Sequence, residues 1–174
     1  IVEIHPAGSL SPSEEEVIDA DGMWVLPGLI DMHAHVREPG FEYKEDISTA
    51  SRAAAAGGIT TVVCMANTDP VNDNPSVTQY IIRKASAVAM VRILPVGAVT
   101  RGLLGKELAE MGLMKEAGIV AVSDDGRPVE DASIMRRALE YASTFDLPVI
   151  SHCEDKDLAA GGCILGRAAA GRHI

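Results

Sequence analysis

The chain has 174 residues, of which 47% are hydrophobic and only 3% aromatic, so its core must be built from aliphatic side chains. A formal net charge of −10 argues against nucleic acid or an anionic membrane surface as a partner. No apolar run approaches the ~18 residues of a membrane span. Three cysteines without CxxC spacing are typical of a reducing compartment, so the expected location is cytoplasmic.

Residues 1–27 are predicted to form an N-terminal β segment that belongs to a small β domain. The stretch "IVEIHPAG" has the pattern of a strand that ends at a Pro/Gly break. The stretch "VIDADGMWVLPG" predicts a second short β piece, with a turn at Asp21–Gly22. These two pieces alone do not make a closed domain.

From residue 28 the chain alternates between apolar runs and helical patterns, which predicts five βα units in residues 28–161. Strands that are apolar on both faces, each followed by a helix, indicate a parallel α/β sheet covered by helices. No GxGxxG follows the first strand, so a dinucleotide-binding fold has little support. We therefore predict a partial (β/α)8 TIM-type barrel, since a complete one takes about 250 residues. The predicted strands are 29–35, 59–66, 91–99, 119–123 and 148–154, and the predicted helices are 45–58, 76–89, 106–118 and 131–145.

Polar side chains collect where the predicted strands end, which is where parallel α/β folds place their functional groups. In "DMHAHVREPG", His33, His35 and Arg37 alternate and therefore point the same way, into the barrel mouth. Two imidazoles at this spacing can chelate one divalent metal ion. Asp125 after the fourth strand and His152 on the fifth could complete a site with an open coordination position.

Each residue also has a structural interpretation. A single HxH pair more often forms structural hydrogen bonds, and Asp125 could simply cap a loop or the next helix. Arg37 could pair with Glu38 or Glu42, or its guanidinium could hold a substrate carboxylate. Asn67 could be a turn residue, or it could offer its amide to a substrate. The metal interpretation is favoured because the polar groups occur together at three strand ends.

Four segments resemble one known family. The segments "DMHAHVREPG", "GGITTVVCMANTDPVNDNP", "AVSDDGRPVED" and "PVISHCED" closely resemble those of bacterial class I dihydroorotases, which are members of the amidohydrolase superfamily. The resemblance runs from about residue 17 to about residue 161. HxH belongs to the whole superfamily, whereas the following arginine together with "MANTDP" distinguishes dihydroorotases from their relatives.

The resemblance implies a zinc-dependent hydrolase that interconverts N-carbamoyl-L-aspartate and L-dihydroorotate in pyrimidine biosynthesis, with one or two zinc ions. His33 and His35 match the first-strand zinc ligands, Asp125 matches the carboxylate that bridges two zincs, and His152 matches a ligand of the second zinc. Arg37 and Asn67 match residues that hold the free carboxylate of the substrate. The family's chemistry implies a metal-activated water that attacks the ring amide carbonyl.

The resemblance also has limits. The family's general acid/base aspartate and a further zinc-binding histidine have no matching position, and the tail at residues 162–174, "CILGRAAAGRHI" with its flanking residue, is atypical. We expect open strand edges and no turnover by these 174 residues alone. The expected assembly is a homo-oligomer, with aspartate transcarbamoylase as a candidate partner. The alternatives are a hydantoinase or allantoinase, which should lack Arg37, and a catalytically silent scaffold, which should lack metal ligands.

Overall fold

The computed structural model describes residue 6 and residues 18–155. The predicted first strand, most of the small β domain and the 162–174 tail lie outside the described residues. Residues 18–28 contain a turn at Asp21–Gly22, where the Met23 amide donates to the Ala20 carbonyl over 2.9 Å, and no strand. The second β piece is therefore not observed over residues 18–28.

The remaining elements follow the predicted alternation of strands and helices. Five parallel strands form one sheet, in which they lie side by side in chain order. This order confirms the parallel α/β prediction. The strands are β1 (Leu29–Ala34), β2 (Ile59–Cys64), β3 (Arg92–Gly97), β4 (Ala121–Ser123) and β5 (Val149–Ile150), and the helices are α1 (Ile47–Ala56), α2 (Pro75–Val88), α3 (Met111–Ala117) and α4 (Ala132–Ser143).

The helix boundaries have local causes. Asp46 caps α1 by accepting a hydrogen bond from the Thr49 amide, and Asn74 caps α2 just before Pro75, a residue that a first helical turn tolerates. The exception is α3, which was predicted from residue 106 but begins at Met111. The preceding residues instead form a bridge between Leu108 and Thr100, which removes them from the helix.

The two faces of the sheet are packed differently, and this distinguishes a barrel from a two-sided sheet. Alternate strand residues such as Val62 and Ile93 pack with α1 and α2, and Val122 packs with α3 and α4. The opposite face carries a cluster around Met65 and Val96 to which only the strands and the residues next to them contribute. Because helices α1 to α4 all cover the same face, the opposite face corresponds to a barrel interior.

The strands at the two ends of the sheet are each paired on one side only among residues 18–155. Leu29, Ile30 and Met32 of β1 are exposed although they are apolar. This agrees with the expected open edges. Within the described residues, no helix is both long and apolar enough to cross a lipid bilayer.

Candidate metal centre and its adjoining cavity

The end of β1 presents two imidazoles to the inner face of the sheet. Ala34 packs outward against the cluster between the sheet and helices α1 and α2, so its neighbours His33 and His35 lie on the other side. Asp125 follows β4 by two residues and is buried. Strands β1 and β4 are not neighbours in the sheet, so the approach of these side chains depends on the curvature of the sheet.

The Asp125 carboxylate lies between the two imidazoles. Its Oδ1 is 3.2 Å from Nε2 of His33, and its Oδ2 is 3.3 Å from Nε2 of His35. The rings meet edge to face, with centroids 5.4 Å apart. One ligand atom from each residue lies within 4.8 Å of the others, so these three side chains could hold a single metal ion. The structure therefore brings together three of the four predicted metal ligands.

Asn67 fixes the orientation of one imidazole. Its Oδ1 lies 2.9 Å from Nδ1 of His35, across the gap between the ends of β1 and β2. An amide oxygen accepts, so this contact pairs with a proton on Nδ1 and leaves Nε2, 3.3 Å from Oδ2 of Asp125, as the ring atom that could bind a metal ion. This tautomer is the one that a metal bound through Nε2 requires. From the sequence, Asn67 was interpreted as a turn residue or as an amide that contacts the substrate, and its contact with His35 was not predicted.

Asp124 ties two strand ends together below the site. Its Oδ1 accepts hydrogen bonds from the amides of Val99 at 2.8 Å and Thr100 at 3.0 Å, and its Oδ2 accepts from the Thr100 hydroxyl. Burial raises the pKa of the Asp124 carboxyl, and the three hydrogen bonds offset part of that rise. Because Asp124 is adjacent to Asp125, this tether holds the backbone from which Asp125 projects. The sequence analysis missed this residue, although the doubled acid in "SDDG" was the available signal.

His152 does not belong to the group of three. It follows the short strand β5, and none of its ligand atoms lies within 4.8 Å of those of all three residues. Its Nδ1 is buried and makes no hydrogen bond, with Oε2 of Glu154 at 3.7 Å. The predicted strand over residues 148–154 is reduced to Val149–Ile150, so the alternation that would have aimed His152 does not extend to it.

Arg37 is likewise beyond the strand on which its predicted direction depended. β1 ends at Ala34, and Arg37 has φ +61°, which breaks the alternation with His33 and His35. The alternative in which Arg37 pairs with Glu38 is not observed: the buried Glu38 carboxylate contacts Lys84 at 3.2 Å and accepts from the Tyr80 hydroxyl at 2.9 Å.

A cavity of about 230 Å³ adjoins the group of three. Residues from the loops after the first four strands line it, including Asn67 and Asp125. Arg37 is not among the lining residues. The carboxyl ends of neighbouring strands thus form a small pocket that opens beside the candidate metal centre.

Comparison with known proteins agrees with this architecture. The dihydro-orotase-like family model matches residues 22–170. A dihydroorotase of Syntrophotalea carbinolica is 59% identical over 153 residues, which are 88% of this chain and 36% of that protein. A dihydroorotase of Solibacter usitatus is 58% identical over 156 residues, which are 90% of this chain and 36% of that protein. The chain thus spans about a third of the length of these relatives.

A solved structure supports the fold independently. The L-hydantoinase (dihydropyrimidinase) of Arthrobacter aurescens superimposes with a TM-score of 0.69 and 23% sequence identity, over 83% of this chain and 35% of that one. At this identity the likeness concerns the fold, and the prediction of a partial barrel with about five βα units is confirmed.

Proposed function

Because the chain belongs to the dihydro-orotase-like family, we propose that it forms the metal-binding part of a zinc-dependent cyclic amide hydrolase. The proposed reaction interconverts N-carbamoyl-L-aspartate and L-dihydroorotate in pyrimidine biosynthesis. The observation that carries the proposal is the convergence of His33, His35 and Asp125 from two non-adjacent strands.

The donor set fits zinc. Two imidazole nitrogens and a carboxylate oxygen are ligands that zinc accepts, at about 2 Å each, and a set of three protein ligands leaves a coordination position open for chemistry. The hydrogen bond from His35 to Asn67 supports this assignment, because it leaves the Nε2 lone pair free. When bound, zinc would polarise the amide carbonyl and lower the pKa of a water molecule. His152, with a buried Nδ1 that lacks a hydrogen bond, is the proposed further ligand.

The protein's own residues would bind and orient the substrate. Following the family resemblance, Arg37 and Asn67 are proposed to hold the free carboxylate. Asn67 can serve both purposes, because its Oδ1 holds His35 while its amide nitrogen retains donors. Its position in the wall of the cavity supports this role.

Metal content tests the proposal. Purified protein dialysed against zinc should retain one or two ions per chain by elemental analysis. His33→Ala, His35→Ala and Asp125→Ala should each lose zinc, whereas the control His5→Ala, at a histidine to which we assign no role, should not. A wild-type protein that binds no zinc would contradict the proposal and favour a silent scaffold.

Substrate choice separates the enzyme alternatives. Because the chain matches about a third of its relatives' length, we propose that it does not turn over substrate alone. Cyclisation of N-carbamoyl-L-aspartate at the rate of a full-length dihydroorotase would refute this. Binding of hydantoin or allantoin in preference to L-dihydroorotate would favour the hydantoinase or allantoinase alternative.

The finer points of assembly and location belong to the same proposal. We propose a homo-oligomer with aspartate transcarbamoylase as the candidate partner on the basis of the family resemblance, and a cytoplasmic location on the basis of the cysteine pattern. Light scattering of the chain, with and without the transcarbamoylase, measures self-association and binding to this partner. A strictly monomeric species in each case would remove the oligomer and the partner from the proposal.

A further inference from the structure

A buried carboxylate fastens the loop after β1 to two helices. Oε2 of Glu38 accepts a hydrogen bond from the amide of Ile47, the first residue of α1, over 3.0 Å. Oε1 of Glu38 accepts from the Tyr80 hydroxyl at 2.9 Å and lies 3.2 Å from Nζ of Lys84, and both of these residues belong to α2. These three contacts of the Glu38 carboxylate are called the Glu38 anchor below.

The donors of the Glu38 anchor match the needs of a buried charge. A carboxylate that is removed from water requires hydrogen bonds and an opposite charge, and Lys84 supplies the charge. Burial and, after it, the hydrogen bond to Glu38 raise the pKa of Tyr80, so its hydroxyl keeps its proton near neutral pH and continues to donate. Loss of either α2 residue would therefore leave the carboxylate with too few partners.

The residue before Glu38 has a strained backbone. Arg37 has φ +61°, a conformation that residues with a side chain rarely adopt. The Glu38 amide donates to the Val36 carbonyl over 2.7 Å, which closes a three-residue turn around Arg37. Val36 is buried in the cluster between the sheet and helices α1 and α2, and Glu38 is held by its anchor. A strained backbone of this kind persists only where its surroundings fix it on both sides.

The turn sets the direction of two side chains. The value of φ at Arg37 determines where its Cβ points, so a return to an ordinary negative φ would swing the guanidinium away. The Arg37 carbonyl also accepts from the Phe41 amide over 2.9 Å, and Phe41 lines the cavity beside the candidate metal centre. Release of the turn would therefore displace both Arg37 and one wall of that cavity.

We propose that Glu38 is a positioning residue, which Tyr80 and Lys84 hold in place so that Arg37 keeps the direction that its role requires. The inference rests on the proposed function, which assigns Arg37 to the substrate. It goes beyond that function because it gives control of Arg37 to the outer surface of α2. Tyr80 and Lys84 do not line the cavity, so changes at these residues should alter ligand binding without contact to the ligand.

The test removes the partners of Glu38 and keeps its side chain, because Glu38→Ala would leave a gap in a buried position and risk unfolding. Tyr80→Phe and Lys84→Gln each remove one partner of Oε1 from the surface of α2. Two controls match them in chemistry. Tyr43→Phe removes a hydroxyl from an exposed tyrosine of the same loop, and Arg83→Gln removes the exposed charge next to Lys84.

Hydrogen exchange followed by NMR reports on the turn directly. The amides of Glu38 and Ile47 should exchange about tenfold faster in Tyr80→Phe and in Lys84→Gln, because their hydrogen bonds depend on the anchor. The Val122 amide, which bonds to the Pro148 carbonyl, should exchange at the wild-type rate and so exclude a general loss of stability.

Calorimetric titration measures the consequence for ligand binding. N-carbamoyl-L-aspartate is titrated into zinc-supplemented chain, and zinc content is measured on the same samples. The double variant Tyr80→Phe/Lys84→Gln should weaken the dissociation constant about tenfold, and Lys84→Arg, which keeps the charge, should bind close to the wild type. Zinc content should stay unchanged in every variant, and both controls should bind like the wild type.

The outcomes separate this inference from the proposed function. Unchanged exchange of the Glu38 amide in both partner variants would show that the anchor does not hold the turn. Faster exchange with an unchanged dissociation constant would overturn the positioning role while the metal centre stands. Altered zinc content in the partner variants would also overturn it, because the effect would then not be confined to Arg37. A wild type that binds no zinc or no acid, or an Arg37→Gln variant that binds the acid as tightly as the wild type, contradicts the proposed function, and the inference falls with it.

Discussion

Replacement of Asp124 by alanine should be the most destabilising single change at the rim of the sheet. Two buried amides, those of Val99 and Thr100, would lose their only described acceptor, Oδ1 of Asp124. Each unsatisfied buried donor costs about 1–3 kcal/mol. The buried Thr100 hydroxyl would also lose its described acceptor, Oδ2 of Asp124. Alanine also removes a carboxylate whose burial is unfavourable, as its raised pKa indicates, and this offsets part of the loss in the free energy of unfolding. We therefore expect a loss of about 3 kcal/mol in the free energy of unfolding.

The variant Asp124→Asn separates hydrogen bonding from charge. Both amides bond to the same oxygen, which asparagine retains, and the new amide can donate to the Thr100 hydroxyl. The expected loss is therefore smaller, about 1 kcal/mol. Urea unfolding followed by circular dichroism measures both variants, with Glu116→Ala on the exposed face of α3 as the control. The reasoning is refuted if the two Asp124 variants have the same midpoint, or if alanine costs less than the control.

Three further predictions concern other parts of the chain. Asn67→Ala should weaken zinc binding by roughly 10–100-fold, because the imidazole of His35 loses the acceptor that orients it. Asn67→Asp keeps an acceptor oxygen and should retain most of the zinc affinity. Equal zinc affinities in the wild type and both variants would contradict this. Burial raises the pKa of the Cys64 thiol to about 12. A variant with Cys64 as its only cysteine should therefore react with Ellman's reagent only after urea is added. Rapid labelling in native buffer would show that the thiol is accessible. Hydrogen bonds from Ser133 and from the Ile134 amide lower the pKa of Asp131 in the folded protein. The cap that Asp131 forms on α4 therefore stabilises the fold fully above the ordinary carboxyl pKa of about 3.9. This stabilisation is lost as the pH falls through the lowered pKa of the folded state. Asp131→Ala should therefore reduce the urea midpoint near neutral pH and differ less from the wild type in acid, and a constant difference across the range would argue against the cap.

The part of the site prediction that used local geometry agrees with the grouping of side chains in the structure. Alternation along a strand is a property of the backbone itself, and it correctly placed His33 and His35 on one side of β1. The same rule failed for Arg37, because the strand ends at Ala34 and φ at residue 37 is positive. It could not be applied to His152 either, because β5 is only two residues long.

The sequence could not show which loop residues would contact each other. The bond between Asn67 and His35 joins residues that are 32 positions apart, and the tether from Asp124 to Thr100 spans 24. Neither pairing leaves a periodic signal. The late start of α3 has the same cause. The residues predicted as its first turn form a bridge between Leu108 and Thr100 instead.

The order of the strands and helices, the aliphatic core and the identity of the candidate metal ligands were determined by the sequence itself, because hydrophobic periodicity and the chemistry of single residues are local properties. The tertiary structure decided which strand ends approach across the curved sheet, that Asn67 contacts the His35 imidazole and that Arg127 lines a cavity beside Asp125. These depend on sheet curvature and on hydrogen bonds between distant loops, which exist only after the strands have paired.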